Sequence, residues 1–206
     1  MATINWNILK SHKHLNQEYW DHRYKTNAAG WDIGKISPAI KEYTQTLENK
    51  NTRILIPGCG NSYEAEHLVI LGFTNITVID IAPTLIENLQ KKFQNNTNIK
   101  IVLGDFFDHQ GKYDLIMEQT FFCALDPIMR EKYASKMHQL LSDKGKLVGL
   151  LFNKTFESGP PFGGSQAEYE QLFKIHFEIL QMDLCPNSIK PRANSELFFE
   201  FQKRNI

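Results

Sequence analysis

Two glycines flanking a cysteine, Gly58 and Gly60 around Cys59, end an apolar run in "ILIPGCGNSYEAEHL" and open a polar, helix-compatible segment. A strand that turns sharply into a helix at glycines lets the backbone come close to a ligand, and the helix's first N–H groups favour an anionic or oxygen-rich group. Asp80 closes the next apolar run, "TVID", 22 residues after Gly58, the offset at which a carboxylate takes both hydroxyls of a ribose. The third run ends in "GDFFD". There Asp105 can accept from an exocyclic amine, and Phe106 or Phe107 can lay a flat apolar face against a purine. Together the three ends describe a nucleoside ligand whose remaining part need not be a phosphate. Each also has a plainer reading: a tight turn at the glycines, a helix-capping carboxylate at Asp80, and ordinary core for one of the phenylalanines.

Two phosphate-binding alternatives fail on spacing. No Gly-Lys-Ser/Thr follows the turn, so it is not a P-loop, and Tyr63 stands where a dinucleotide fingerprint requires its third glycine, which argues against an NAD-dependent oxidoreductase.

The elements that position these residues alternate. Short apolar runs at 53–57, 75–80, 99–105, 113–118 and 145–152 are separated by helical patterns near 63–71, 83–95, 127–141 and 165–175. Runs rich in Ile, Val and Leu between helices predict parallel βαβ units with helices on both faces of the sheet. "HFEILQMDLC" and "SELFFEFQK" then read as two strands joined by only a short loop, hence an antiparallel pair. The fold expected is α/β, a doubly wound, mostly parallel sheet of seven strands with the last one reversed. Residues 51–206 form this core of a single domain, and 1–50, with Trp6, Tyr19, Trp20, Tyr24 and Trp31, form an N-terminal helical lid. Asn61 and Ser62 are the candidate caps of the helix after the glycine turn.

The chain of 206 residues has 23 Lys plus Arg against 23 Asp plus Glu, so no net field draws it to nucleic acid or an anionic membrane. Its three cysteines, Cys59, Cys123 and Cys185, are odd in number and far apart. That spacing suggests neither a disulfide framework nor a zinc site and fits a reducing compartment. "HKH" at His12 and His14, with His22, lacks a further ligand at metal spacing. With no leader-like apolar run and no segment of about 18 apolar residues, the reading is a cytoplasmic protein, a monomer or weak homodimer without heptads, acting on a small molecule.

In order along nearly the whole chain, "YWDHRY", "GWDIG", "LIPGCGNSYEAEHL", "VIDIAP", "GDFFD", "YDLIMEQTFFCALDPIMREKY", "GKLVGLLF" and "GPPF" resemble the class I S-adenosylmethionine-dependent methyltransferases. More narrowly, they resemble the thiopurine S-methyltransferase family with its plant-type halide and thiol methyltransferases. The resemblance implies a Rossmann-like fold and S-adenosylmethionine as cofactor. It further implies that Trp20, Tyr24 and Trp31 fold over that cofactor, Gly58 meets its methionine part, Asp80 its ribose, and Asp105 with Phe106 its adenine. Glu118 falls where plant-type relatives carry Asp, and Tyr24 where relatives often carry Trp. The resemblance also puts Arg130 near the methyl acceptor and Phe162 at a position where plant-type relatives often have Tyr. The expected acceptor is a small soft nucleophile, a thiol, hydrosulfide or halide, and no side chain stands out as a general base. A cofactor-binding module without catalysis is the alternative.

Overall fold

The computed structural model describes residues 15–205; Trp6, His12 and His14 lie outside them. Seven strands form one sheet: β1 (Ile54–Pro57), β2 (Ile76–Asp80), β3 (Ile99–Leu103), β4 (Tyr113–Gln119), β5 (Leu141–Phe152), β6 (Phe177–Leu184) and β7 (Glu196–Lys203). Their order is β3-β2-β1-β4-β5-β7-β6. The first five pair in parallel, and β7 runs antiparallel to both β5 and β6. The expected architecture, with its single reversed strand, is present. Because β1 lies between β2 and β4, the winding reverses beside β1, and a crevice opens at the carboxyl ends of those strands.

Alternate residues of β1 divide between two cores, as a strand covered on both faces requires. Leu55 joins a cluster with Tyr133, Met137 and Leu140 of α5 (Arg130–Leu140) and Tyr169 and Phe173 of α6 (Gln166–Phe173), completed by Phe177, Phe199 and Phe201. Ile54 and Ile56 join one with Ala65 and Leu68 of α3 (Tyr63–Ile70) and Leu85, Ile86 and Leu89 of α4 (Pro83–Lys92). Much of the chain's phenylalanine is spent in the first cluster, where each buried ring contributes about 1.5–3 kcal/mol over an exposed one.

Ahead of the sheet stand α1 (Gln17–Lys25) and α2 (Pro38–Gln45), the helix, loop, helix expected of a lid. Asn16 caps α1 through the Tyr19 amide at 3.0 Å, and Ser37 with Pro38 opens α2. The lid is fastened to the core at its first helix. Gln17 Nε2 donates to Ile81 O at 3.0 Å. The buried Asp21 accepts from Thr84 N at 2.7 Å, which caps α4 with a side chain from another element because Ala82 offers none of its own.

Candidate functional site

A cavity of about 680 Å³ occupies the crevice, within the range of ligand sites. Its wall brings together Trp20, Tyr24, Trp31, Gly58, Gly60, Asp80, Asp105, Phe106, Phe107 and Glu118. These are the ten residues that the sequence singled out for a nucleoside cofactor.

After β1 the chain takes positive φ at Gly58 (55°), Gly60 (50°) and Ser62 (53°). The two glycines are needed for different reasons. A Cβ on Gly58 would lie 2.2 Å from Phe121 Cδ2, so the space there is claimed by a ring of the neighbouring loop after β4 rather than left for a ligand alone. A Cβ on Gly60 would meet only the Tyr24 hydroxyl, at 3.6 Å. The expected cap of α3 does not form. Ser62 occupies the N-cap position but turns its hydroxyl back to Cys59 O at 3.4 Å, and the Asn61 amide instead donates to Asp32 of the lid loop. The start of α3 has no capping side chain, and Asn61, Ser62, Tyr63 and Glu64 there line the cavity.

Asp80, at the end of β2, holds two backbone groups: Oδ1 accepts from Ala82 N at 3.0 Å and Oδ2 from Gly60 N at 3.3 Å. Burial pushes its carboxyl up, and the amides of Ala82, Gly60 and Ile81 oppose that push. The helix-start reading of Asp80 is therefore correct as far as it goes, yet the same carboxylate also braces the glycine turn beside the cavity. Asp105 uses Oδ1 to accept from Phe107 N at 2.8 Å. Phe106 is buried and packs edge-on against Phe121 at 5.2 Å, while Phe107 is half-buried and lies edge-on to Phe106 at 5.4 Å. Phe106 is thus the core residue of the pair, and Phe107 the freer face.

Glu118, only 1% exposed, ends β4. Its Oε1 accepts from Phe121 N at 2.7 Å and Phe122 N at 2.9 Å, whereas Oε2 is buried without a partner among the described residues. Burial, opposed by those amides and assisted by Glu196, pushes the carboxyl up to about 7. A buried carboxylate oxygen on a cavity wall with nothing to accept from is the mark of an absent donor.

Over these strand ends sits an aromatic roof. Trp31 stands edge-on to Trp20 at 5.4 Å and to Tyr24 at 5.8 Å. Burial, and secondarily the charge of Asp80, hold the Tyr24 phenol well above its usual range, so it stays neutral. Three hydrogen bonds close the roof. Asp32 takes the Asn61 amide and the Tyr63 hydroxyl, and Arg192 Nη2 donates to Trp31 O at 2.9 Å.

Two expected acceptor residues lie elsewhere. Neither Arg130 nor Phe162 is on the cavity wall. Arg130 donates to Gly163 O at 2.7 Å and stacks over Phe122 at 5.0 Å and Tyr169 at 5.9 Å, which packs it behind the wall. Phe162 donates its amide to Cys123 O at 2.7 Å and packs its ring against Gly159. The same segment contributes Phe156, Pro160 and Pro161 to the wall instead, facing Phe152, Lys154 and Arg192. Sequence reasoning missed Arg192 altogether. Its guanidinium lies 5.6 Å from the Phe152 ring centroid and pairs with Glu196 at 3.3 Å, and its position after a loop between two strands carried no signal. Cys59 and Cys123 line the cavity as buried thiols with acidities suppressed by burial, and Cys185 is buried and free.

The family model described as thiopurine S-methyltransferase matches residues 15–196. "Probable thiol methyltransferase 2" of Arabidopsis thaliana is 33% identical over 191 residues, covering 89% of this chain and 84% of that protein. "Thiocyanate methyltransferase 1" of Brassica oleracea is 27% identical over 195 residues, covering 90% and 85%. Among solved structures, the 1,6-didemethyltoxoflavin-N1-methyltransferase of Burkholderia thailandensis, with bound S-adenosylhomocysteine, superposes with a TM-score of 0.72 at 15% identity over 94% of this chain and 89% of that one. A glycine turn, three carboxylates on successive strand ends and an aromatic roof are thus carried by a chain whose match to one family runs from Leu15 to Glu196. The chain belongs to the thiopurine S-methyltransferase family of S-adenosylmethionine-dependent methyltransferases.

Proposed function

We propose that this enzyme methylates a small soft nucleophile, an organic thiol, hydrosulfide or halide, as a cytoplasmic monomer or weak homodimer. The observation that carries the reading is the cavity itself. Three of its carboxylates, Asp80, Asp105 and Glu118, stand at neighbouring strand ends, and Phe121, Phe152, Phe156, Pro160 and Pro161 supply an apolar stretch of its lining.

The residues fit the cofactor. Asp80 would take the ribose hydroxyls, Asp105 through its remaining oxygen the adenine amine, with Phe107 and Phe106 along the base. Glu118 Oε2, buried and without a partner, suits the α-ammonium. Gly58 and Gly60 expose the backbone to the methionine part, and Trp20, Tyr24 and Trp31 cover it. Bound there, S-adenosylmethionine supplies a methyl group already made electrophilic by its sulfonium. The chain's task is then to aim a nucleophile along one direction and keep water out, since orientation alone contributes several kcal/mol, about 7–11 in well-aligned intramolecular cases. Phe121, Phe152 and Phe156 offer that nucleophile a polarizable wall, and Arg192 keeps the lid down through Trp31 O. An acceptor that arrives as an anion has no proton to lose. This matches a wall on which burial keeps the Cys59 and Cys123 thiols and the Tyr24 phenol protonated.

Among the described residues no helix is long and apolar enough to cross a membrane. The balanced charge supports a small-molecule acceptor rather than nucleic acid.

The test is direct. S-adenosylhomocysteine, unlike NAD, raises the unfolding temperature, and methyl-labelled cofactor transfers label to hydrosulfide, small thiols, a thiopurine or iodide. Protection without transfer to any of these acceptors would leave only a cofactor-binding module; protection by NAD alone would overturn the reading entirely.

A further inference from the structure

We infer that Arg23 is the residue that recognises the carboxylate of the cofactor's methionine part, a contact that rests on the cofactor reading above and deepens it.

A methionine-derived ligand brings one ammonium and one carboxylate into the cavity. The acids of the wall can account for the ammonium, but a carboxylate needs a cation or free N–H groups. Among the described residues, four cations line the cavity: Arg23, Lys35, Lys154 and Arg192. Arg192 is already committed to Glu196 and Trp31 O. Lys35 and Lys154 are exposed, and Lys154 lies over Phe156 at 4.7 Å, on the acceptor wall. Arg23 differs from all three. Its Nε is shielded from solvent and has no hydrogen-bond partner among the described residues. The nearest acid in sequence, Asp21, is taken by Thr84 N and Lys25. Leaving a guanidinium nitrogen buried and unpaired is costly and rare in a finished structure. A ligand that supplies the acceptor removes the anomaly.

Position supports the assignment. Arg23 directly precedes Tyr24 on α1, and the Tyr24 hydroxyl lies 3.6 Å from where a Cβ on Gly60 would stand, at the glycine turn where the methionine part belongs. The guanidinium lies 5.5 Å from the Trp31 ring centroid, so one roof residue holds it. Stacking on an indole uses the face of a guanidinium and leaves its edge of N–H donors for a planar, two-oxygen partner. Arg23 and the unpartnered oxygen of Glu118 are then complementary, one for each charge of an amino acid zwitterion.

Calorimetry on the full chain without acceptor tests this, with S-adenosylmethionine and its decarboxylated analogue, which keeps adenosine, sulfonium and amine but lacks the carboxylate. The wild type is expected to prefer the intact compound, and Arg23→Gln to lose about 10- to 100-fold in affinity for it while binding the analogue unchanged. Arg23→Lys should restore part of the preference. Equal weakening toward both compounds would show that Arg23 only props Trp31, and no weakening toward either would show that it touches nothing; both results overturn the assignment. A wild type that binds neither compound overturns the cofactor reading and this inference with it. Unfolding of the unliganded variants, followed by circular dichroism, confirms that the comparison is made on folded protein.

Discussion

Replacing Gly58 with alanine tests the reason for the glycine turn, and Gly60→Ala is its internal control. Both residues have φ near +50°, so alanine at either costs about 1–2 kcal/mol in backbone strain. Only at Gly58 does the new methyl collide. It would stand 2.2 Å from Phe121 Cδ2 and 2.7 Å from Cγ, whereas at Gly60 the nearest atom is 3.6 Å away. Phe121 has little room to yield, since its amide is bound to Glu118 and its ring packs on Phe106 and Tyr133. Overpacking of this kind adds about 1–3 kcal/mol, so Gly58→Ala costs about 3 kcal/mol in total and Gly60→Ala about 1. For a chain of this size that is a fall in unfolding temperature of roughly 6–12 °C against 2–4 °C. Moving Phe121 also disturbs the anchor of Glu118, so affinity for S-adenosylhomocysteine falls about tenfold further in Gly58→Ala than in Gly60→Ala. Differential scanning fluorimetry with and without the ligand reads both quantities. Equal shifts for the two variants would refute the steric argument and leave φ as the only reason for either glycine.

Asp80→Ala strands the amides of Gly60 and Ala82, each worth about 1–3 kcal/mol, so the unliganded protein is destabilised as well as weakened toward S-adenosylhomocysteine. Asp80→Asn keeps one acceptor oxygen and is expected to retain more stability while still losing affinity; calorimetry showing full affinity in both variants would remove the ribose role. Burial raises Glu64 and Glu118 to about 7 from 4.5, so the folded protein holds protons that the unfolded chain has released, and stability of the unliganded enzyme falls as pH rises from about 4.5 to 7. An ammonium pairs with the ionised form of Glu118, so affinity for S-adenosylhomocysteine rises over the same window. Glu118→Gln should flatten that rise, and an unaltered slope counts against the pairing. Phe162→Tyr, behind the wall, is expected to leave the ratio of thiol to iodide methylation unchanged, whereas Phe156→Ala, on it, changes that ratio; a competition assay with labelled cofactor that gives the reverse would return Phe162 to the pocket.

The gathering of the residues proposed for the cofactor was legible because each stands at or near the end of one strand. Once apolar runs alternate with helices, the parallel sheet forces the ends of β1, β2, β3 and β4 to one edge, and Gly58, Asp80, Asp105 and Glu118 arrive there by topology alone. The opposite wall depends on packing between segments remote in sequence, and Arg130 and Phe162, expected there, stand behind it. Arg130 sits on an amphipathic helix, and no pattern in that helix reveals that its guanidinium will be captured by Gly163 O some 33 residues later. Phe162 and Phe156 belong to one proline-rich segment, and which ring faces inward is decided by the Phe162 amide bonding Cys123 O, a contact that has no sequence period. Ser62 has the right type and place for a cap, yet at its positive φ the hydroxyl turns to Cys59 O and α3 has no side-chain cap. Backbone-directed features follow from pattern because the hydrogen-bond ladder fixes them, and side-chain captures do not. The wall formed by Phe156, Pro160 and Pro161 depends on such captures, and a sequence pattern therefore says least about it.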